Sequence, residues 1–201
     1  MPPHIAIIHV NTVPSGSFEE FRTATAWPEV EVQVHAVAPP GPMAGIEWLM
    51  PTLVIGFVAS AYFGGFFQEM GKDHYLLVKE QFKKLYQKVA GSHAPDVKLM
   101  STQGKVKEVQ SYSLYFSLVG ETPSGIRLKL LIKKPITMAE YERCVDCFLD
   151  LLRDVNLGTM GEAMRNRLES TIPLGRMIVV TYDEKLDQVV PIDVLTGEMK
   201  R

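Results

Sequence analysis

WLMPTLVIGFVASAYFGGFF, residues 48–67, runs for twenty residues without a charge in a chain of 201. As a helix, such a run would rise about 30 Å, the thickness of a bilayer's hydrocarbon core. Gly56, Ser60 and Gly64 recur at four-residue spacing, a small-residue seam suited to close helix packing, with Trp48 at one end and Phe66 and Phe67 at the other. A seam of this kind predicts that Gly56 and Ser60 tolerate Ala far better than Leu. Against a membrane span, Pro51 interrupts the first turn and Gly64-Gly65 weakens the last. Conventional insertion would also place Lys72, Lys79, Lys83, Lys84 and Lys88 on the cytoplasmic side and export the first strands. Two readings stand: a helix buried in the core or between subunits, expected for the resting state, and a helix that engages a membrane.

The rest of the chain reads as an ordinary globular protein. It is 46% hydrophobic and 22% charged, with 21 basic residues against 23 acidic ones. That composition is far from those that stay disordered, and the length fits a single domain over 1–201. The charge balance gives no reason to expect a nucleic-acid partner. MPPHIAIIHVN has no basic n-region, so a cytoplasmic location is expected, with inner-membrane association if the apolar run engages lipid. Two cysteines, Cys144 and Cys147, are too few for a disulfide framework.

Outward from the apolar run, HIAIIHV at 4–10 reads as a strand, and Ser17 with Glu20 as a capping box for a short helix through about Ala26. VEVQVHAVA alternates, with Val30, Val32 and Val34 on one face and Glu31, Gln33 and His35 on the other. APPGP at 38–42 marks an internal boundary. Beyond the run, Tyr75, Val78, Phe82, Leu85 and Val89 form the apolar stripe of a basic amphipathic helix over 73–89, with Gly71 ending one helix and Asp73 capping the next.

SLYFSLVGE and GIRLKLLIK, joined at TPSG (122–125), predict a hairpin in which Leu114, Phe116 and Leu118 share a face, as do Leu128, Leu130 and Ile132. Ile136, Thr137, Glu140 and Tyr141 supply a hydrophobic staple and capping box for a helix whose Tyr141, Cys144, Phe148, Leu151 and Val155 face a core, and Gly158 stops it. A short helix near 160–169 and a hairpin in RMIVVTYDEKLDQVVPIDV follow. The fold class is therefore α+β: a β-α-β start, a long apolar helix and an amphipathic one, antiparallel hairpins, and C-terminal helices.

Chemical motifs are weak throughout. CVDC at 144–147 has redox or metal-ligand spacing but sits inside a helix, where neither a lowered thiol pKa nor a second ligand pair is at hand, so a core or interface role is expected. GGFFQEMGK lacks the glycine spacing and the Ser/Thr of a phosphate loop. Asp73 reads as a cap and His74 as a surface residue, and Ser111, Ser113 and Ser117 have no nucleophile-elbow setting. Lys105, Lys107, Arg127, Lys129, Lys133 and Lys134 form a solvated sheet surface or an anion-attracting one. No catalytic residue, cofactor or metal is assigned. Helix packing is assigned to Gly56, Ser60 and Gly64, and membrane or anion contact to Lys79, Lys83, Lys84 and Lys88.

The order of a β-rich start, a strand ending in APPGPMAG, a Gly-containing apolar segment, GKDHY, a Lys-rich amphipathic helix and further strands resembles small effector-associated components of bacterial conflict systems over roughly residues 1–132. The C-terminal helices and hairpin extend beyond that likeness. The resemblance implies an accessory or effector role in defence and carries over no catalytic residues. A non-enzymatic accessory protein that self-associates, binds a protein partner or engages an anionic membrane is the leading expectation. A soluble ligand-binding or adaptor module comes second, and a hydrolase third.

Overall fold

The computed structural model describes residues 3–39, 52–90, 111–193 and 199, apart from the side chains of 65–70. Seven strands form one mixed sheet: β1 (Ile5–Val10), β2 (Val32–Val37), β3 (Val54–Val58), β4 (Phe116–Glu121), β5 (Arg127–Leu131), β6 (Met177–Asp183) and β7 (Gln188–Pro191), in the spatial order β2-β1-β3-β4-β5-β6-β7. β1 runs parallel to β2 and antiparallel to β3, and β3 runs parallel to β4. The β4–β5 and β6–β7 pairs are antiparallel, with β5 and β6 parallel between them. The helices are α1 (Gly16–Ala24), α2 (Gly65–Ala90), α3 (Met138–Leu157) and α4 (Glu162–Glu169).

The α+β class, the β-α-β start and both hairpins are as the sequence predicts. The apolar helix is not. Within 48–67, Val54–Val58 is strand β3, Ser60–Phe63 is one 3-10 turn, and Gly65 already belongs to α2; residues 48–51 lie outside the described ones. The cause is position in the sheet. β3 is hydrogen-bonded between β1 and β4, with Val54, Gly56 and Val58 fully buried against the helices and Ile55 and Phe57 half-buried behind. A strand covered on both sides loses its polar alternation and reads as a continuous apolar run. Gly56, Ser60 and Gly64 therefore fall on a strand, a turn and a turn end, and share no helical seam. Among the described residues, no helix is long and apolar enough to cross a membrane.

Two helix ends also differ from those the sequence predicts. α2 passes without a break through Gly71 and Asp73, and Gly71 is buried. α1 begins one residue before Ser17, and its N-cap position, Ser15, makes no side-chain capping bond. Glu20 instead pairs with Lys88 of α2. At α3 the local signals hold. The Thr137 hydroxyl accepts from the Glu140 N–H at 3.2 Å, the Glu140 carboxylate accepts from the Thr137 N–H at 2.6 Å, and Gly158 ends the helix in the left-handed conformation at φ 71°.

The core forms where alternate strand residues meet the helices: Ile5, Ile7, Val58, Phe116, Leu118, Leu130 and Val180 pack with Phe18 and Phe21 of α1, Phe82 and Leu85 of α2, and Phe148 and Leu152 of α3. Tyr86 of α2 and Tyr141 of α3 stack at 3.5 Å, joining the two helices over Phe116. A smaller cluster of Tyr112, Leu131, Val179 and Ile192 occupies the opposite sheet face.

Candidate functional site

α3 buries Tyr141, Cys144, Val145, Phe148 and Leu152. Its other side therefore presents Arg143, Asp146, Cys147, Asp150 and Asp154, since residues three and four apart share a helix face. α2 lies along one flank of that face, and α4 with the β6–β7 turn lies along the other.

On the α2 flank, the Lys79 ammonium, its side chain only 9% exposed, sits 3.0 Å from Asp150 and 3.4 Å from Asp146. Lys83 reaches Asp146 and Glu80, each at 3.0 Å. Asp150 also accepts from the Tyr75 hydroxyl at 2.7 Å and from Arg153 at 2.9 Å, while Arg153 and Lys79 lie against the Tyr75 ring. Burial alone would raise the Asp150 pKa, but the Tyr75 hydroxyl and the Lys79 ammonium outweigh it and hold the carboxyl below its ordinary value. A cleft of about 490 Å³ opens over this network between α2 and α3.

On the other flank, the Arg143 guanidinium grips Asp187 in the β6–β7 turn with two hydrogen bonds, one of them 2.7 Å, and the Tyr182 hydroxyl donates to the same carboxylate at 2.6 Å. These two donors push the Asp187 pKa down to about 2. Asp187 itself adopts φ 50°, and its carbonyl accepts the Cys147 thiol at 3.6 Å. The turn is thereby pinned to α3 and forms the wall of a second groove, about 430 Å³, between α3 and α4. Leu151, Met160, Met164 and Val189 give that groove apolar surface, while Asp150, Asp154, Glu162 and Asp187 line it with carboxylates beside the single guanidinium of Arg143. Apolar surface edged by charge is how protein-binding patches are built, and methionine adapts its shape to what it meets.

The residues singled out from sequence are placed as follows. Gly56 packs under α2, and Ser60 donates to Asn156 of α3 at 2.6 Å. The Gly64 N–H closes the 3-10 turn onto the Ala61 carbonyl. Lys79, Lys83 and Lys88 each face carboxylates, and Lys84 is exposed. Cys144 is buried and Cys147 half-buried, both as free thiols. Lys129, read as a sheet-surface residue, is buried, and that burial lowers its pKa to about 8. Arg127 is exposed over the Phe57 ring, and Lys105 and Lys107 lie outside the described residues.

His74 is the clearest reversal among the titratable groups. Its ring is fully buried, with Nε2–H donating to the Thr25 carbonyl at 2.9 Å and Nδ1 3.0 Å from the Tyr62 hydroxyl. The residues that build the α3 grooves were missed, although Asp146, Asp150 and Asp154 recur at four-residue spacing in the sequence. Among the described residues, no group of three or more His, Cys, Asp or Glu side chains is arranged to hold a metal ion. Comparison of the chain with protein-family models, curated proteins and solved structures finds no match.

Proposed function

We propose that this chain is a non-enzymatic accessory protein that acts by holding a protein partner in the groove between α3 and α4, the kind of role implied by its resemblance to components of bacterial conflict systems. The observation that carries the reading is the make-up of that groove: apolar surface from Leu151, Met160, Met164 and Val189, four carboxylates, and one wall fixed by the Arg143–Asp187–Tyr182 contacts. A pre-formed wall lowers the ordering cost of binding. Asp150, Asp154 and Asp187 are held by Lys79, Arg153 and Arg143, and Glu162 adds a further carboxylate at the groove, a surplus of negative charge that favours a basic segment with an apolar anchor side chain as occupant.

Panning a random peptide display library against the full chain tests this. Selected sequences are expected to be enriched in Lys or Arg flanking Leu, Phe or Met, and to lose binding when Glu162→Lys and Met164→Asp are combined. Selection of acidic or charge-free sequences, or unchanged binding by the double variant, overturns the reading.

A further inference from the structure

β2 closes one end of the sheet, with β1 as its hydrogen-bonded neighbour among the described strands. The Ile5 N–H donates to the Glu31 carbonyl at 3.1 Å and the Asn11 N–H to the Val37 carbonyl at 2.8 Å. Backbone groups alternate sides along a strand, so Glu31, Gln33, His35 and Val37 direct theirs to β1. The N–H and C=O groups of Val32, Val34 and Ala36 point out of the sheet. The strand sequence VQVHAV contains no Pro, Lys or acid, its register with β1 runs from Val32 to Val37 without a bulge, and His35–Val37 are exposed. Pro, Lys, acidic side chains and bulges are among the devices by which natural proteins block edge pairing, and Val32–Val37 carries none of these four.

We infer that β2 pairs antiparallel with β2 of a second copy about a two-fold axis through Val34, joining two sheets into one. The occupant follows from self-complementarity. A two-fold interface sets each residue against its own chain's counterpart, so only a strand that tolerates its own side chains can form it. About Val34, the helix-side face sets Val34 against Val34 and Val32 against Ala36. The opposite face sets Gln33 against His35 and brings Glu31 diagonally to His35. The Glu31 carboxylate, held 2.5 Å from the Gln33 amide, thus meets an imidazole and no second carboxylate. Shifting the axis to His35 would oppose the two imidazoles, and shifting it to Gln33 would leave the C-terminal end of β2 without a partner. The α3 groove lies over the β6–β7 end of the sheet, so this pairing leaves it open in both copies and does not depend on what it binds.

Sedimentation velocity of the full chain over a range of concentrations, with amide hydrogen exchange, tests the pairing. Wild type is expected to shift from monomer to dimer as concentration rises, with the Val32, Val34 and Ala36 amides slowed in the dimer. Ala36→Pro deletes one outward N–H, takes no bond from β1, and changes a side chain that is already exposed. It is expected to remain monomeric, with a Tm matching that of wild type at concentrations where wild type is monomeric. Should that variant fail to fold, His35→Glu weakens the same dimer through repulsion with Glu31, and adding Glu31→Lys restores it. A wild type that is monomeric throughout, a dimer that Ala36→Pro leaves intact, or a His35→Glu dimer of undiminished strength overturns the inference.

Discussion

Gly56 on β3 lies against the Phe82 ring of α2 so closely that a Cβ on the glycine would come within 2.6 Å of both Phe82 Cε1 and Leu118 Cδ2. Neither neighbour has room to retreat: Phe82 and Leu118 are buried, and Phe82 packs 4.8 Å from the Phe21 ring. The glycine permits a helix to settle directly on the sheet, where the sequence alone indicated a helix-to-helix seam. Even Ala should therefore overpack the site. Gly56→Ala is expected to destabilise by about 1–3 kcal/mol, whereas Gly16→Ala, where a Cβ would meet nothing within 4 Å, stays within about 0.5 kcal/mol of wild type. Urea unfolding of the two variants checks this, and equal midpoints would refute the close approach.

The ion network between α2 and α3 is asymmetric, and mutations should expose the asymmetry. Lys79 is almost enclosed, while Asp150 and Asp146 are 39% and 27% exposed. Asp150→Ala removes one acceptor each from Tyr75, Lys79 and Arg153, and although Arg153 keeps Asp154, the nearly enclosed Lys79 ammonium is left with Asp146, at 3.4 Å, as its paired carboxylate. After allowance for solvent screening, the expected cost is about 1–3 kcal/mol. Lys79→Met keeps the aliphatic bulk and leaves carboxylates that still reach Lys83, Arg153 and water, so its cost should be about 1 kcal/mol or less. If Lys79→Met proves the more damaging in denaturant titrations, enclosure of the ammonium does not govern this network.

Where structure is dictated locally, the sequence was legible. Thr137 with Glu140, Gly158, and the alternation of Val32 and Val34 each act within a few residues, and each marks an element correctly, although Val30, read with that strand, lies before β2 in a bridge to Trp27. β3 was illegible for a tertiary reason: one of its faces is buried against the helices and the other carries the half-buried Ile55 and Phe57, so its pattern mimics a helix too apolar for water. Gly71 and Asp73 misled for the converse reason, because packing carries α2 straight through residues that favour helix ends elsewhere. The groove was half-legible. The spacing of Asp146, Asp150 and Asp154 is visible in the sequence, but Asp187 reaches Arg143 across 44 residues through a hairpin turn, which no local pattern announces.

His74 should leave a signature in the pH dependence of stability. Burial lowers its pKa from the ordinary 6.5, with the Thr25 carbonyl opposing only in part. Below about pH 6.5 the unfolded chain binds a proton that the folded chain refuses. The contribution is therefore complete above that pH, is lost as pH falls toward the folded value, and levels off beneath it. His74→Gln retains an N–H for the Thr25 carbonyl but cannot titrate. Between about pH 7.5 and about pH 5, wild type is expected to lose more stability than His74→Gln, although the variant starts lower. Parallel pH profiles would show that this imidazole contributes nothing to the acid limb.

The two thiols of α3 should differ sharply in reactivity, and one of them reports on the groove. Burial drives the Cys144 pKa up to about 12 and leaves the side chain no exposed surface. Cys147 is only half-buried; burial raises its pKa too, with Arg143 pulling the other way. Native protein should thus react slowly with a thiol-specific disulfide reagent at Cys147 alone, releasing Cys144 only on unfolding. Asp187→Gly keeps the main-chain carbonyl that accepts the Cys147 thiol but removes the carboxylate that Arg143 and Tyr182 hold and whose charge raises the Cys147 pKa, so it should accelerate the first reaction and leave the second tied to unfolding. A bulky maleimide on Cys147 would then occupy the groove wall, so it should block peptides selected against the groove without altering association through β2. Equal native reactivity of the two thiols would contradict the burial difference on which this prediction stands, and undiminished peptide binding by the maleimide adduct would move the partner site away from the α3–α4 groove.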